Sequence, residues 1–294
     1  MYNRHAAGLR RKGSKTLGLV VTDIRNPYFA DLAMGVEEAA ADAGYTLLVG
    51  YSRDDVEQQN KHLATMVEQQ AEGIVLLPAI GSEKEQLSRI VDRGKVPVVQ
   101  LARSISPEFG YVGADNRQAA RLIAEHVAAL GASAAVLIGG PAGSSAREDR
   151  LAGLAEGFAG TPVRFDPSQA VPSRNNPHDG ADAFASAVDR GTVPEVVLAY
   201  SDAVAIGIYA RLRRLGLEPG RDVAVASFDD VPLAELLQPP LTSVATHPRQ
   251  VGRDAGLSLL DSIATGVPPA PSPPLATSLR IRASTASWRT SIRH

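Results

Sequence analysis

Short apolar runs of strand length alternate along the chain with amphipathic segments of helical period. Leu17 to Ile24 predicts a buried strand, and Asn26-Pro27 then opens a segment whose apolar residues recur every three or four positions. Gly44 follows that segment, where a helix end favours a residue that tolerates positive φ. The alternation continues with strands predicted at 45–51, 73–78, 97–101 and 111–114, and helices at 56–70, 83–93 and 117–130. Such alternation indicates a parallel sheet with helices on both faces.

A second series of the same kind begins after Gly131. Strands are predicted at 135–138, 163–165, 195–200 and 223–228, with helices at 147–158, 179–189 and 203–215. A strand at 241–246, a helix at 249–264 and a strand at 279–282 follow, long enough to cross between two lobes. We therefore predict an α/β protein of two doubly wound parallel-sheet lobes. The predicted N-terminal lobe is 15–128 plus 247–275, and the C-terminal lobe is 129–246 plus 276–288, with 1–14 before them and a tail at 289–294.

Polar residues that follow the predicted strands mark the expected ligand site. Doubly wound sheets bind ligands beyond the carboxyl ends of their strands, and two lobes predict a site in the cleft between them. The polar residues at these positions are Asp23, Arg103, Asp115, Ser201-Asp202 and Asp229-Asp230.

Composition excludes several classes of function. The 294 residues carry a formal charge of −2, which gives no general attraction to nucleic acid or acidic lipid. Cysteine is absent, and the six histidines lack metal-ligand spacing, so we expect no metal site. Nucleotide-binding, nucleophile-elbow and zinc-protease motifs are also missing, so we expect neither a cofactor nor catalysis. No apolar stretch approaches the about 20 residues of a membrane span, and the basic start lacks a signal-peptide pattern. The expectation is a cytoplasmic protein without a membrane segment.

Several motifs, weak alone, occur in an order and spacing that resembles one family. They are Thr16–Val21 followed by Asn26-Pro27-Tyr28-Phe29, then Ala71–Val75, Val112–Asn116, Gly140-Pro141 with Arg150–Leu154, Ala224–Asp230, and Pro239–Val244. This series resembles the LacI/GalR (lactose-repressor) family of bacterial transcription regulators. The resemblance implies a periplasmic-binding-protein-like (type I) fold, a homodimer, and a core that binds a small-molecule effector to control DNA binding.

The first residues resemble the hinge helix with which this family enters the DNA minor groove. Asn3 fits an N-cap, and Leu9 matches the leucine that wedges apart a base step. The hinge candidates within the segment 1–14 are Asn3, Arg4, Ala6 and Leu9. A basic tail without a role is the alternative. The family's helix-turn-helix headpiece, which reads the major groove, is not in this sequence, so operator binding is assigned to the full-length protein.

The resemblance also implies an effector site. Arg150 matches an arginine that reaches the effector, because a guanidinium donates paired hydrogen bonds. Asp229 matches an aspartate that accepts from sugar hydroxyls, and aromatic faces suit a sugar or a base. The full set of expected ligand-binding residues is Tyr28, Phe29, Asp115, Arg150, Asn175, Ser201 and Asp229. The alternatives are a surface pairing of Arg150 with Glu148 or Asp149, and a purely structural role for Tyr28 and Phe29.

Two functions share this predicted fold. The first is the sensing core of a repressor whose effector is a carbohydrate, because Ser144 and Ala146 replace the larger polar residues of the purine-type relative. The second is a periplasmic sugar-binding protein that serves a transporter. The hinge motif and the absence of a signal-peptide pattern favour the repressor.

Overall fold

A computed structural model describes residues 13–189, 193–286 and 288. These residues form two compact units. The first unit extends to Gly113 and includes Pro248–Pro274, and the second comprises Ala114–His247 and the chain from Leu275 onward. The hinge candidates Asn3, Arg4, Ala6 and Leu9 and the predicted tail 289–294 lie outside the described residues.

The first unit contains a five-stranded parallel sheet in the order β2-β1-β3-β4-β5. Its strands are β1 (Thr16–Val21), β2 (Thr46–Tyr51), β3 (Gly73–Leu76), β4 (Val98–Leu101) and β5 (Gly110–Val112). Strands β3 and β4 are buried along their whole length, because helices cover both faces of the sheet. The helices between these strands are α1 (Pro27–Asp42), α2 (Val56–Glu68) and α3 (Lys84–Val91).

The second unit contains another five-stranded sheet, in the order β10-β9-β8-β7-β6. Its strands are β6 (Ala135–Ile138), β7 (Val196–Ala199), β8 (Ala224–Asp229), β9 (Thr242–Ala245) and β10 (Ser278–Arg280). The sheet is parallel except at its edge, where β10 pairs antiparallel with β9. The helices before β9 are α4 (Asn116–Ala129), α5 (Ser145–Phe158), α6 (Pro177–Asp189), α7 (Asp202–Arg214) and the short α8 (Leu233–Leu236).

The chain then returns to the first unit through α9 (Pro248–Thr265) and ends in the second with β10 and α10 (Ala283–Ala286). Two glycines bring the backbones of α1 and α9 into contact. A Cβ on Gly35 would lie 2.0 Å from the carbonyl oxygen of Arg249, and one on Gly252 would lie 2.1 Å from that of Leu32. This contact fixes the returning helix on the first sheet's layer of helices. None of the described helices is both long and apolar enough to span a bilayer.

Helix α4 belongs to the second unit and not to the N-terminal lobe in which it was predicted. The first crossing was predicted after residue 128, whereas the chain crosses between Gly113 and Ala114, and the helix packs against α5. A Cβ on Gly153 of α5 would lie 2.3 Å from the carbonyl oxygen of Arg117, so the two helices meet at backbone distance. Chain order alone suggested that a helix after β5 belongs with β5. The two later crossings, at 247/248 and 274/275, lie within one residue of the prediction.

The strand predicted at 163–165 was also wrong. Only Arg164 forms a bridge there, with Ala134. Pro162 and Pro167 flank the segment, and proline cannot donate to a ladder, so the pairing does not extend. The short helices α8 and α10 were missed because four residues are too few to show a helical period.

We expect Gly153→Ala to destabilise the second unit by about 1–3 kcal/mol, the usual range for overpacking. Alanine is intrinsically the better helix former by about 1 kcal/mol, so a loss of stability would come from the clash of the added Cβ with Arg117 and Ala120 of α4. Urea denaturation would measure the free energy of unfolding. Glu125→Ala, on the exposed face of α4, is the control and should stay within about 0.5 kcal/mol of the parent. A Gly153→Ala variant more stable than the parent would refute the close helix contact.

Candidate effector site

The carboxyl ends of β7 and β8 place a group of polar residues at one edge of the second sheet. Tyr200 and Ser201 directly follow β7, and Asp229 is the last residue of β8. Helix α5 approaches the same edge and contributes Arg150. Asp230, beside Asp229, pairs instead with Arg282 at 2.7 Å, so the two neighbouring carboxylates do not act as a pair.

Arg150 is the centre of this group and is only 5% exposed. Its Nε donates to Oδ1 of Asn116 at 2.8 Å, and its Nη1 donates to the backbone carbonyl of Tyr200. Its Nη2 lies 3.8 Å from Oδ1 of Asp229. The guanidinium carbon also lies close to two aromatic rings, 4.6 Å from the ring centre of Tyr200 and 4.3 Å from that of Phe228. Arg150 is therefore a buried residue paired with Asp229, and its predicted surface alternative is wrong.

Asp229 is held in a strained and desolvated position. Its φ is 112°, a region that residues with a side chain rarely adopt, and it is 3% exposed. Burial raises the pKa of this carboxyl well above its ordinary value, although Arg150 opposes the shift. A carboxyl that takes up a proton can donate as well as accept a hydrogen bond, which suits a ligand hydroxyl.

Asp202 makes hydrogen bonds to the strands and the loop around Asp229. Its carboxylate accepts from the hydroxyls of Ser227 and Ser243 and, at 2.8 Å, from the backbone N–H of Val231. Burial raises the pKa of Asp202 to about 6, while the hydrogen bonds from the two serines lower it. The residue ties the start of α7 to β8, to β9 and to the loop after Asp229.

Two further predicted residues meet at the start of α7. The Ser201 hydroxyl accepts from the N–H of Val204 at 3.2 Å, which caps the helix, and donates to Oδ1 of Asn175. Asp115 instead caps α4, where its Oδ1 accepts from the N–H of Gln118 at 2.8 Å. It is the next residue, Asn116, that contacts Arg150.

Asn116 and Tyr200 contact Arg150 but were not among the predicted site residues. Both are adjacent to residues that were chosen, namely Asp115 and Ser201. The available signal was their position at a helix start and after a strand end. Because Tyr200 contacts Arg150 through its backbone carbonyl as well as its ring, its side-chain type alone could not have revealed the contact.

Tyr28 and Phe29 belong to the first unit and are both buried at the start of α1. Their rings meet edge to face, with centres 5.3 Å apart and planes at 78°. Asn26 caps the helix by accepting from the N–H of Tyr28 at 3.0 Å. This geometry accounts for both rings as core packing, and their contact with an effector stays a prediction.

The other polar strand ends of the first unit are occupied by ion pairs. Arg103 is buried, with its Nη1 2.6 Å from Oδ1 of Asp54 and 3.2 Å from the carbonyl oxygen of Pro78. Asp23 pairs with Arg25 at 2.7 Å. Within the described ranges, no group of three acidic or histidine side chains could hold a metal ion.

Comparison with known proteins agrees with this fold. Residues 124–285, more than half of the chain, match the periplasmic binding protein-like domain family. Catabolite control protein A of Staphylococcus xylosus is 29% identical over 259 residues, which cover 88% of this chain and 77% of that protein. The transcriptional repressor CytR of Escherichia coli K12 is 27% identical over 87% of this chain and 74% of its own length.

A solved structure with a bound ligand shows the same architecture. The transcriptional regulator CelR in complex with cellobiose superposes with a TM-score of 0.83 and is 25% identical, over 93% of this chain and 85% of that one. The described fold is thus that of a ligand-binding, two-unit α/β protein. The chain belongs to the periplasmic binding protein-like family and is the effector-binding core of a LacI/GalR-type transcription regulator. The relatives named here are regulators and not enzymes.

We expect Asp202 to make the folded protein less stable as the pH rises from about 4 to about 6. Because its folded-state pKa is raised, folding favours the protonated form, and the stability that it contributes is lost as the pH passes through the folded-state pKa. At about 1.4 kcal/mol per pKa unit, the change is about 3 kcal/mol. Denaturant unfolding at several pH values would measure this. The free energy of unfolding of the parent should fall relative to that of Asp202→Asn as the pH rises across this range.

Asp166 provides a control for the direction of the pH dependence. Hydrogen bonds from Ser168 lower the pKa of this exposed carboxyl, so its small contribution is lost as the pH falls. Asp166→Asn should therefore show a weak dependence of the opposite direction. Parallel pH profiles for the parent and Asp202→Asn would contradict the assigned role of Asp202.

Proposed function

We propose that the chain senses a carbohydrate effector through the second-unit residues around Arg150 and Asp229, and thereby controls operator binding by the full-length repressor. The observation that carries this proposal is the arrangement of Arg150. Its guanidinium is buried against the rings of Tyr200 and Phe228 and oriented by Asn116 beside a strained carboxyl. Holding such a charge in the interior is expensive, which is typical of a site kept for binding.

The chemistry of these groups suits the hydroxyls of a sugar. An arginine fork donates to neighbouring oxygens in one plane, and Asp229 supplies the complementary acceptor. Ser201 and Asn175 lie at the same edge of the sheet, and we assign them and Asp115 to the outer part of the site. The cellobiose complex of CelR, an architectural relative, supports a sugar as the effector class.

The regulatory part of the proposal concerns partners. We propose that two copies form a homodimer whose paired hinge segments contact operator DNA, and that the protein acts in the cytoplasm because its operator lies on the chromosome. Exposed apolar side chains on the first unit, namely Met34, Val49 and Tyr51, are consistent with a contact between copies. Coupling of effector and DNA binding needs only a few kcal/mol of differential affinity.

We expect a bound sugar to stabilise the protein and Asp229→Asn to abolish this effect. A ligand at a hundred times its dissociation constant adds about 2.7 kcal/mol to stability. Thermal unfolding with a panel of pentoses, hexoses and disaccharides would identify the sugar that binds. Calorimetry would then compare its affinity for the parent, Asp229→Asn and Arg150→Met. Asp182→Asn, an exposed change on α6, should bind like the parent. Unchanged sugar affinity in both site variants would show that the effector binds elsewhere.

A periplasmic sugar-binding protein is the second candidate, since the matched family is named for such proteins. Oligomeric state separates the two, because a repressor that pairs hinge segments must dimerise. We expect a dimer in sedimentation velocity at micromolar concentration. A monomer with the same sugar affinity would favour the transporter component.

A further inference from the structure

A second arginine, Arg147, lies one turn before Arg150 on α5 and forms no ion pair with any described carboxylate. Arg147 is 7% exposed, and its Nε donates to the carbonyl oxygen of Gly139 at 3.2 Å. Among the described residues, no carboxylate lies within ion-pair distance of it. Burial lowers the pKa of this guanidinium, which nevertheless remains charged at any physiological pH.

Of the two buried arginines on α5, only Arg150 has a carboxylate within ion-pair distance among the described residues. Asp229 faces Arg150, and burial disfavours the charged form of Asp229 itself. Asp202 is already satisfied by three donors. Buried charges in folded proteins are normally paired. Glu148, the next residue in the chain, supports the charge of Arg147 without forming an ion pair with it, so this guanidinium has no direct counterion among the described residues.

The same end of α5 holds a buried hydroxyl that makes no hydrogen bond. Ser144 occupies the N-cap position, but its side chain does not cap the helix. Its Oγ is fully buried and without a partner, and the residue is only 1% exposed. Ser144 and Arg147 are three positions apart, a spacing that puts neighbouring helical residues on one face. The residues that carry the unpartnered hydroxyl and the unpaired cation are therefore neighbours at the start of α5.

The loop that leads into α5 favours the close approach of an anion. Between β6 and α5, Gly139 and Gly140 have φ values of 93° and 79°, which a side chain would oppose. A Cβ on Gly140 would also lie 2.5 Å from Cδ2 of Tyr200, so the loop packs directly on the site. A strand, a glycine loop and a helix N-terminus in sequence present backbone N–H groups and a positive dipole end to a ligand.

We propose that Arg147, the Ser144 hydroxyl and the N-terminus of α5 form an anion subsite that binds the phosphate monoester of a phosphorylated sugar. The inference rests on the proposed function, because it names the class of effector for that site. A guanidinium fork, a hydroxyl and helix N–H groups together offer several donors, which suits a phosphate with three terminal oxygens better than a carboxylate with two. Arg150 and Asp229 then bind the sugar hydroxyls.

The test compares matched pairs of probes by calorimetry: ribose with ribose 5-phosphate, and glucose with glucose 6-phosphate, with inorganic phosphate alone. We expect a phosphorylated member to bind the parent more tightly than its neutral partner. Arg147→Met should weaken that binding about 10- to 100-fold, the usual worth of a hydrogen bond to a charged group, and leave the neutral sugar unaffected. Arg164→Met removes one charge from an exposed position of the same unit and should bind like the parent.

The outcomes separate this subsite from the proposed function. Binding of a neutral sugar as tight as its phosphate, lost in Asp229→Asn, would overturn the subsite and leave the sugar site standing. Equal binding of inorganic phosphate and the phosphorylated sugars would reveal an anion site only, and would overturn the effector class. Binding of a phosphorylated sugar that survives Asp229→Asn but not Arg147→Met would support the subsite and contradict the proposed role of Asp229.

A measurement on the free protein tests the subsite without any sugar. If Arg147 is an unpaired cation kept for a ligand, Arg147→Met should preserve or raise the Tm, because it removes an uncompensated buried charge. Millimolar inorganic phosphate should raise the Tm of the parent and of Arg164→Met but not of Arg147→Met. A fall of several degrees in the Tm of free Arg147→Met would mean that the guanidinium serves the fold, which would overturn the subsite.

Discussion

The second unit depends on the satisfaction of one buried charge, the guanidinium of Arg150. Desolvated arginine is tolerated only where its donors find acceptors, and three different elements supply them. Asn116 comes from the start of α4, the carbonyl of Tyr200 from the end of β7, and Asp229 from the end of β8. The charge therefore requires those three chain segments to converge on α5. Because the same segments form the edge of the sheet where a ligand would bind, the requirement of the fold and that of the site coincide.

The close packing of α4 against α5 makes this convergence possible. Asn116 can reach Arg150 only if the two helices lie together at their N-terminal ends. The small residues at their contact, Gly153 against the backbone at Arg117 and Gly157 against Ala124, permit that distance. Glu156 of α5 adds exposed ion pairs to Arg117 and Arg121. The assignment of α4 to the second unit and the orientation of Arg150 are thus two consequences of one helix contact.

Arg147 and Arg150 differ in environment although they lie on one face of one helix. Arg150 is surrounded by acceptors and aromatic rings, whereas Arg147, among the described residues, has one carbonyl contact and no ion pair. A fold that needed both charges for stability would be expected to neutralise both. Ligand binding explains this difference in environment: the fold holds Arg150 in position in advance, and the proposed ligand neutralises Arg147. A cost in stability of this kind is common where function requires an unsatisfied group.

Local pattern in the sequence was sufficient for the longer elements and for the class of fold. Apolar runs and helical periods depend on neighbouring residues alone, so β1 to β9 and the long helices were found within a few residues, and strand–helix alternation indicated two parallel sheets. The family resemblance pointed to Arg150 and Asp229, and the comparisons confirm the family. The tertiary structure alone decided which lobe holds α4, that Asn116 and not Asp115 orients Arg150, and that Arg147 is buried without a counterion. Each of these results is a contact between residues distant in sequence, determined by interhelix distance and desolvation, and neither quantity can be obtained from local spacing along the chain.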